Sequence, residues 1–267
     1  MRIDAGRFTV RLAETDDDVA AAQHLRYRVF VEEMGAHVSD EDRAAGRERD
    51  RFDPYFDHLL LIDNETANDP ENCGVVGAYR LMRRDSAKSG IGFYGAQEYD
   101  LHLLEEHSRE VLELGRSCVD REHRGAAGMH LLWTALGQYV AEHDVEILFG
   151  VASFHGSNPA PLSHALSYLH HFHLAPPDLR VRALQSNFTP MDLMPAEDVD
   201  RIEALRQTPA LIKAYIRLGG FVGEGAFVDH EFNTVDVCLL MDTARMVDRY
   251  RSFYSRHKGG AVDRILG

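Results

Sequence analysis

Apolar positions along this chain fall into short runs of strand character and longer stripes of helical spacing, and the two alternate. Phe8 to Leu12 alternates like a first strand. Asp16 to Val31 carries Val19, Leu25, Val29 and Phe30, as a helix would. His37 to Asp53 is charged and irregular, a loop with short helical turns. DHLLLID (57–63) and CGVVGAYRL (73–81) are strands joined by a polar loop, 64–72. Arg83 to Gly95 reads as a mobile excursion. Leu112 to Val119 is the next strand. A polar, glycine-bearing turn, Asp120 to Gly128, leads from it into a helix marked by Met129, Leu132, Trp133 and Leu136. Glu146 to Ser153 is a strand and Leu162 to Leu169 a helix. A helix opened by Pro209, a glycine-rich loop GGFVGEGAF, a strand Thr234 to Met241 and a helix from about Thr243 complete an α/β order. There is no internal repeat and no low-complexity linker.

Composition narrows the class. A chain of 267 residues holds one large domain or one and a half. Its 45% hydrophobic content and mean hydropathy of −0.31 support a buried core rather than disorder. No run of about 18 apolar residues predicts a transmembrane helix, and MRIDAGRFTV lacks an apolar signal core. A cytoplasmic protein is expected. Cys73, Cys118 and Cys238 are odd in number, lack metal spacing and read as reduced, buried thiols. A net charge of −14 argues against a general nucleic-acid binder, so no nucleic-acid partner is expected. It also means that an acidic partner would need a local basic patch. The stretch MVDRYRSFYSRHKGGAVDRIL (246–266) is basic and aromatic and can touch anionic lipid, a peripheral contact at the inner face of the membrane.

The strand–turn–helix at Leu112 to Val140 is the most informative stretch. Loop amides and a helix N-terminus favour an anion there, and Arg121, His123 and Arg124 add positive charge. The alternative is an ordinary turn with solvated arginines.

The element order resembles the Gcn5-related N-acyltransferase fold, in which a thioester's pantetheine arm lies in a splayed cleft beside that turn. The resemblance implies a mixed, mostly antiparallel sheet flanked by helices. Gly125 and Ala127 fit the last two places of the family's turn pattern, while Glu122 stands where Arg or Gln is usual. A glutamate opposes a diphosphate, which favours acyl carrier protein, with its single phosphodiester, over acetyl-CoA. Arg26 and Phe30 in LRYRVF, Asp50 and Asp53 in RDRFD, Arg80 in VVGAYRL, and Glu113 with Arg116 in ELGR look like acyl-homoserine-lactone synthases. The tryptophan of those enzymes has no counterpart here, and Ala36 lies near its place. SYLHHFHLAPPDLRVRAL, PALIKAYIRLGGFVGEGAFVDHEFNTVDVCLLM and FDPYFDHLLLID are similar to L-ornithine Nα-acyltransferases of ornithine-lipid synthesis, over roughly Val10 to Tyr254. That resemblance implies transfer of a (3-hydroxy)acyl group from acyl carrier protein to the α-amine of L-ornithine, giving lyso-ornithine lipid. No cofactor is expected to be bound; the acyl-phosphopantetheine of the carrier is the co-substrate. Residues 1–175 form the acyltransferase core, and 176–267 complete the same domain and cover the acyl site. Two rivals stay open: an N-acyltransferase for another amine, including homoserine-lactone chemistry, and a binding-only, haemolysin-type membrane protein.

Residue chemistry assigns roles. Amide formation needs a neutral amine, a polarised thioester carbonyl and a proton for the leaving thiol. Glu113 can take the amine proton, or it pairs structurally with Arg116. Their spacing puts them on opposite faces of a regular strand, and a bulge at Gly115 would bring them together. Asp50, Asp53 and Asp57 offer three carboxylates to the δ-ammonium, or form a solvated acidic loop. Arg26 first and Arg80 second are candidates for the α-carboxylate fork. Arg121, Arg124, Gly125, Ala127 and Gly128 would hold the carrier or its pantetheine. His155 can assist proton transfer or be structural. His170, His171 and His173 read as a packed helix end rather than a zinc site, and no metal is expected. Gly219, Gly220, Gly223 and Gly225 either cradle a phosphate or close over the acyl chain.

Overall fold

The computed structural model describes residues 1–67, 69, 73–124 and 126–245. The chain forms two compact units. The first comprises Met1–Met82 with Leu114–Asp144, the second Arg83–Glu113 with the described residues from Val145 onward.

In the first unit, strands Arg2–Ala5, Phe8–Leu12, Asp57–Asp63 and Val75–Arg83 pair antiparallel in that order. Gly6 supplies the positive φ, +61°, for the two-residue hairpin between the first two. The Asp57–Asp63 strand is buried on both faces. Leu60 and Ile62 pack on Ala21, Ala22 and Leu25 of the helix Asp16–Arg26. On the other face, Asp57 meets Tyr139 and Leu61 lies under Gly128, both on the helix Ala126–Glu142. A Cβ at Gly128 would stand 3.1 Å from Leu61 and 3.2 Å from the His123 carbonyl, so the glycine eases the close approach of helix and strand.

The helix Asp16–Arg26 starts cleanly. Thr15 caps Asp18, and Asp16, Asp17 and Asp18 complement the dipole. It does not run on to Val31 as one α-helix: Tyr27–Glu33 is π-helical. Tyr27, Val29, Phe30 and Val31 are aromatic or β-branched and lose χ1 freedom in an α-helix, so local propensity holds the α form only weakly there. The charged stretch that follows contains the short helix Asp40–Ala45, capped by Ser39.

In the second unit, the start of the Val111–Val119 strand runs parallel to Ile147–His155 for three residues, Val111 to Glu113. Ile147–His155 pairs antiparallel with Thr234–Asp242 along its whole length. Ala226–Asp229 and then Phe188–Thr189 extend that sheet. Helices Ser163–His173 and Ala210–Arg217 bury Leu166, Leu169, Ile212 and Tyr215. Mixed, mostly antiparallel strands with helices on them are what the sequence implied.

Two expectations are corrected. The Arg83–Gly95 excursion folds into the helix Arg84–Ser89, with Ala87 and Phe93 buried. The glycine-rich loop contains a strand, Phe221–Val222, paired with Leu239 and Leu240. A Cβ at Gly220, Gly223 or Gly225 would collide with the Tyr215 carbonyl, the Val181 carbonyl or the Phe188 ring, so these three glycines serve close packing. The described chain reaches a 3-10 turn, Thr243–Arg245, after Thr234–Asp242; the rest of the helix expected from about Thr243, and the basic stretch 246–266, lie outside the described residues. Among the described residues, no helix is long and apolar enough to cross a membrane.

Candidate functional site

The first unit buries an unusual concentration of charge. Arg26, at the last turn of the helix Asp16–Arg26, is fully buried. Its Nε meets Glu48 Oε2 at 2.5 Å; Nη1 and Nη2 meet the two oxygens of Asp53 at 2.6 and 3.0 Å. Gln23, one turn earlier, donates to Asp53 at 3.0 Å. Asp50 folds the loop that presents Asp53, its Oδ1 accepting from the amides of Phe52 and Asp53. Arg80 lies opposite His58 in the strand register, on the face toward that helix. Its Nη1 reaches Asp50 at 2.7 Å and Asp53 at 2.9 Å, and it stacks 4.3 Å over Phe56. Arg116 completes the set, with Nε on Glu48 at 3.1 Å and Nη2 at 3.5 Å from Asp50.

Three guanidiniums face three carboxylates, so the cluster is neutral in sum. Its inner members are nearly sealed, with side-chain exposures of 1% for Arg26 and Arg80, 3% for Glu48 and 6% for Asp53. Asp50 at 18% and Arg116 at 13% form the outer rim. Burial pushes the Glu48 carboxyl up, but Arg116, Arg26 and Arg80 outweigh it and hold it down at about 2. Burial also opposes ionisation of Asp53, and bonds and charges from Arg26 and Arg80 overcome it. Burial lowers the Arg80 pKa, helped by repulsion from Arg116 and Arg26. His58, pushed down mainly by burial, contacts the Asp53 carbonyl through Nε2. Arg116 sits at φ +50° within its strand. That conformation costs a non-glycine residue about 1–3 kcal/mol and marks a position held by its surroundings.

The structure thus gathers Arg26, Asp50, Asp53, Arg80 and Arg116, all singled out from the sequence, but redistributes their roles. Arg26 and Asp53 are engaged with each other and sealed, so neither is placed to meet a substrate group. Asp57 does not join the cluster. It alternates with His58, faces the long helix and accepts from Tyr139 Oη. Phe30 packs against the core around Leu25 and Leu60. Glu48, absent from the sequence reading, binds two of the three arginines. Its one signal was its place in RERDRFD, two residues before Asp50. The backbone irregularity expected at Gly115 lies at Arg116 instead.

Glu113, in the second unit, is buried and anchors a turn. Its Oε2 accepts from the Tyr94 amide at 2.8 Å and its Oε1 from the Gly95 amide at 2.6 Å. A Cβ at residue 95 would stand 3.0 Å from Oε1, which is why a glycine is there. His155 is exposed at the far end of its strand, opposite Thr234. Glu113 pairs with Phe149, six residues away along that strand, so roughly 20 Å separate the two backbones. They cannot serve one reacting atom as arranged.

At the turn after the Val111–Val119 strand, Asp120 caps Glu122 and contacts His123, which also reaches Asp63. Arg124 is a strut between the Val119 carbonyl and Glu33. Arg121 is exposed, and so is Glu122. Gly125 lies outside the described residues. In the second unit, His171 Nε2 lies 2.9 Å from the Met194 carbonyl, and burial pushes His170 and His173 down.

An acetyltransferase (GNAT) domain model matches residues 25–134, a span that contains all six cluster residues. The chain is 53% identical to an L-ornithine Nα-acyltransferase of Rhodobacter capsulatus, over 95% of this chain and 96% of that one. It is 43% identical to the Brucella abortus enzyme of that name, covering 93% and 89%, and 41% identical to that of Agrobacterium fabrum, covering 98% and 88%. Among solved structures, an N-acyl amino acid synthase from uncultured soil microbes superimposes with a TM-score of 0.53, over 92% of this chain and 97% of the other. At 11% identity that likeness is one of fold.

Proposed function

This chain belongs to the L-ornithine Nα-acyltransferase family, and from that premise we propose that it transfers a (3-hydroxy)acyl group from acyl carrier protein to the α-amine of L-ornithine. The near full-length match to enzymes of that name carries the acyl transfer to ornithine. The site supports it. An amino acid brings a carboxylate and ammonium groups together, and the rim of the cluster offers one guanidinium, Arg116, and one carboxylate, Asp50. Arg116 receives the α-carboxylate and Asp50 the δ-ammonium. The sealed members, Arg26, Glu48, Asp53 and Arg80, fix where that pair stands.

In the reaction the neutral α-amine attacks the thioester carbonyl, the C–N bond forms, the C–S bond breaks, and the amine's proton ends on the departing thiol. Glu48 and Asp53 are poor proton acceptors, since the arginines hold both ionised to low pH. An α-amine with a reference pKa of about 7.7–8.0 is partly neutral at working pH and needs only a weak acceptor. The exposed Glu122 at the turn disfavours a diphosphate, which supports a carrier with one phosphodiester.

The test is acylation by the purified protein, read by mass spectrometry. Carrier-protein and coenzyme A thioesters are each offered with ornithine, alanine and homoserine lactone. N-acylornithine from the carrier thioester is the expected main product. Equal rates with the three amines would sink the acceptor assignment, and a preference for coenzyme A the donor.

A further inference from the structure

We propose that Glu48 is a positioning residue for the amino-acid acceptor: its carboxylate sets the angle of the Arg116 guanidinium that receives the substrate's α-carboxylate. The inference rests on the ornithine reading above and adds a residue to it.

Arg116 stands in the left-handed region at φ +50°, where an arginine does not stay unless something holds it. Among the holds on its side chain are Glu48 Oε1 on Nε at 3.1 Å and Asp50 beside Nη2 at 3.5 Å. Glu48 is the firmer of the two. It is itself immobilised, since its second oxygen takes Arg26 Nε at 2.5 Å, and Arg26 is clamped by Asp53. Glu48 is thus wedged between one arginine sealed in the core and one at the rim. A guanidinium gripped through Nε has its plane fixed, and a fork with a fixed plane binds a carboxylate with less loss of freedom than a swinging one. Glu48 also supplies charge. Without it, three guanidiniums would share two carboxylates, and Arg116 would be drawn toward Asp50, the group assigned to the δ-ammonium.

The prediction is a change in acceptor affinity that passes through Arg116. Glu48→Gln should raise the KM for ornithine by about tenfold or more, the scale of one lost charge-assisted hydrogen bond, with kcat at saturating ornithine little changed. In an Arg116→Gln background the same substitution should add less than about twofold, because the group being positioned is already gone. Glu48→Asp keeps the charge and should restore part of the affinity; if Glu48→Gln does not fold, this variant carries the test alone and with Arg116→Gln. A fall in kcat with KM unchanged would overturn the assignment. So would full multiplication of the two KM effects, or a lower melting temperature with unaltered kinetics per folded molecule. If the wild-type protein fails to acylate ornithine, the functional reading falls and this assignment with it. A wild-type enzyme active on ornithine with no Glu48–Arg116 coupling removes the assignment alone.

Discussion

Arg26 and Asp53 meet as a two-pronged ion pair, Nη1 to Oδ1 at 2.6 Å and Nη2 to Oδ2 at 3.0 Å, inside the protein. Breaking one partner of such a pair leaves an uncompensated buried charge. Asp53→Asn should therefore cost about 3–5 kcal/mol of folding stability. Urea unfolding of the purified variant measures it. A variant as stable as wild type with a raised KM for ornithine would return Asp53 to the substrate.

The same cluster gives stability a defined acid limb. Glu48 titrates near 4.5 in the unfolded chain and at about 2 when folded, and Asp53 is shifted in the same direction. A depressed folded pKa stabilises above the unfolded value and loses that contribution as pH falls through the folded one. Stability from this pair should be flat above about pH 5 and fall from about pH 4.5 toward pH 2. Denaturant melts at successive pH values test this, and the slope should flatten in Glu48→Gln.

Glu113 carries two amide bonds, and a glutamine can accept only one of them. Glu113→Gln should cost about 1–3 kcal/mol, the usual penalty of a buried donor left without its acceptor. The pH dependence of kcat should be unchanged. If kcat instead drops by about 10²-fold and recovers at high pH, Glu113 is the proton acceptor.

Arg121 is exposed beside the turn in an otherwise acidic chain. Arg121→Glu should raise the KM for a carrier-protein thioester at low salt. Near physiological ionic strength the difference should shrink, since exposed charges are screened over about 8 Å there. Arg124→Glu would also break the contact to Glu33 and is the less clean test. A salt-independent effect of Arg121→Glu would place the carrier elsewhere.

The strands were legible where burial or alternation was plain, as at Phe8–Leu12 and Asp57–Asp63. Five of the six cluster residues were legible as a set, but not how their charges are divided among themselves. Nothing in LRYRVF says that Arg26 is consumed by Asp53 and Glu48, because that depends on a loop closing from more than twenty residues away. Glu48 was hidden in a segment dense with charge, where one more glutamate carries no signal. Asp57 was misplaced for a related reason. Its strand is buried on both faces, so the alternation that would have separated it from His58 shows no apolar–polar contrast. The π-helical turn at Tyr27–Glu33 has the same apolar content as an α-helix and differs only in its ladder.

The neutral sum of the cluster also bears on how such an enzyme can change its acceptor over evolutionary time. A single replacement at position 26, 53 or 80 unbalances a core charge before it reshapes anything an amine would feel. A one-step change among these sealed residues therefore costs stability first, whereas paired, compensating replacements, or changes at the rim and beyond the cluster, leave the core balanced. The arrangement that fixes the rim so firmly also confines innovation to the rim.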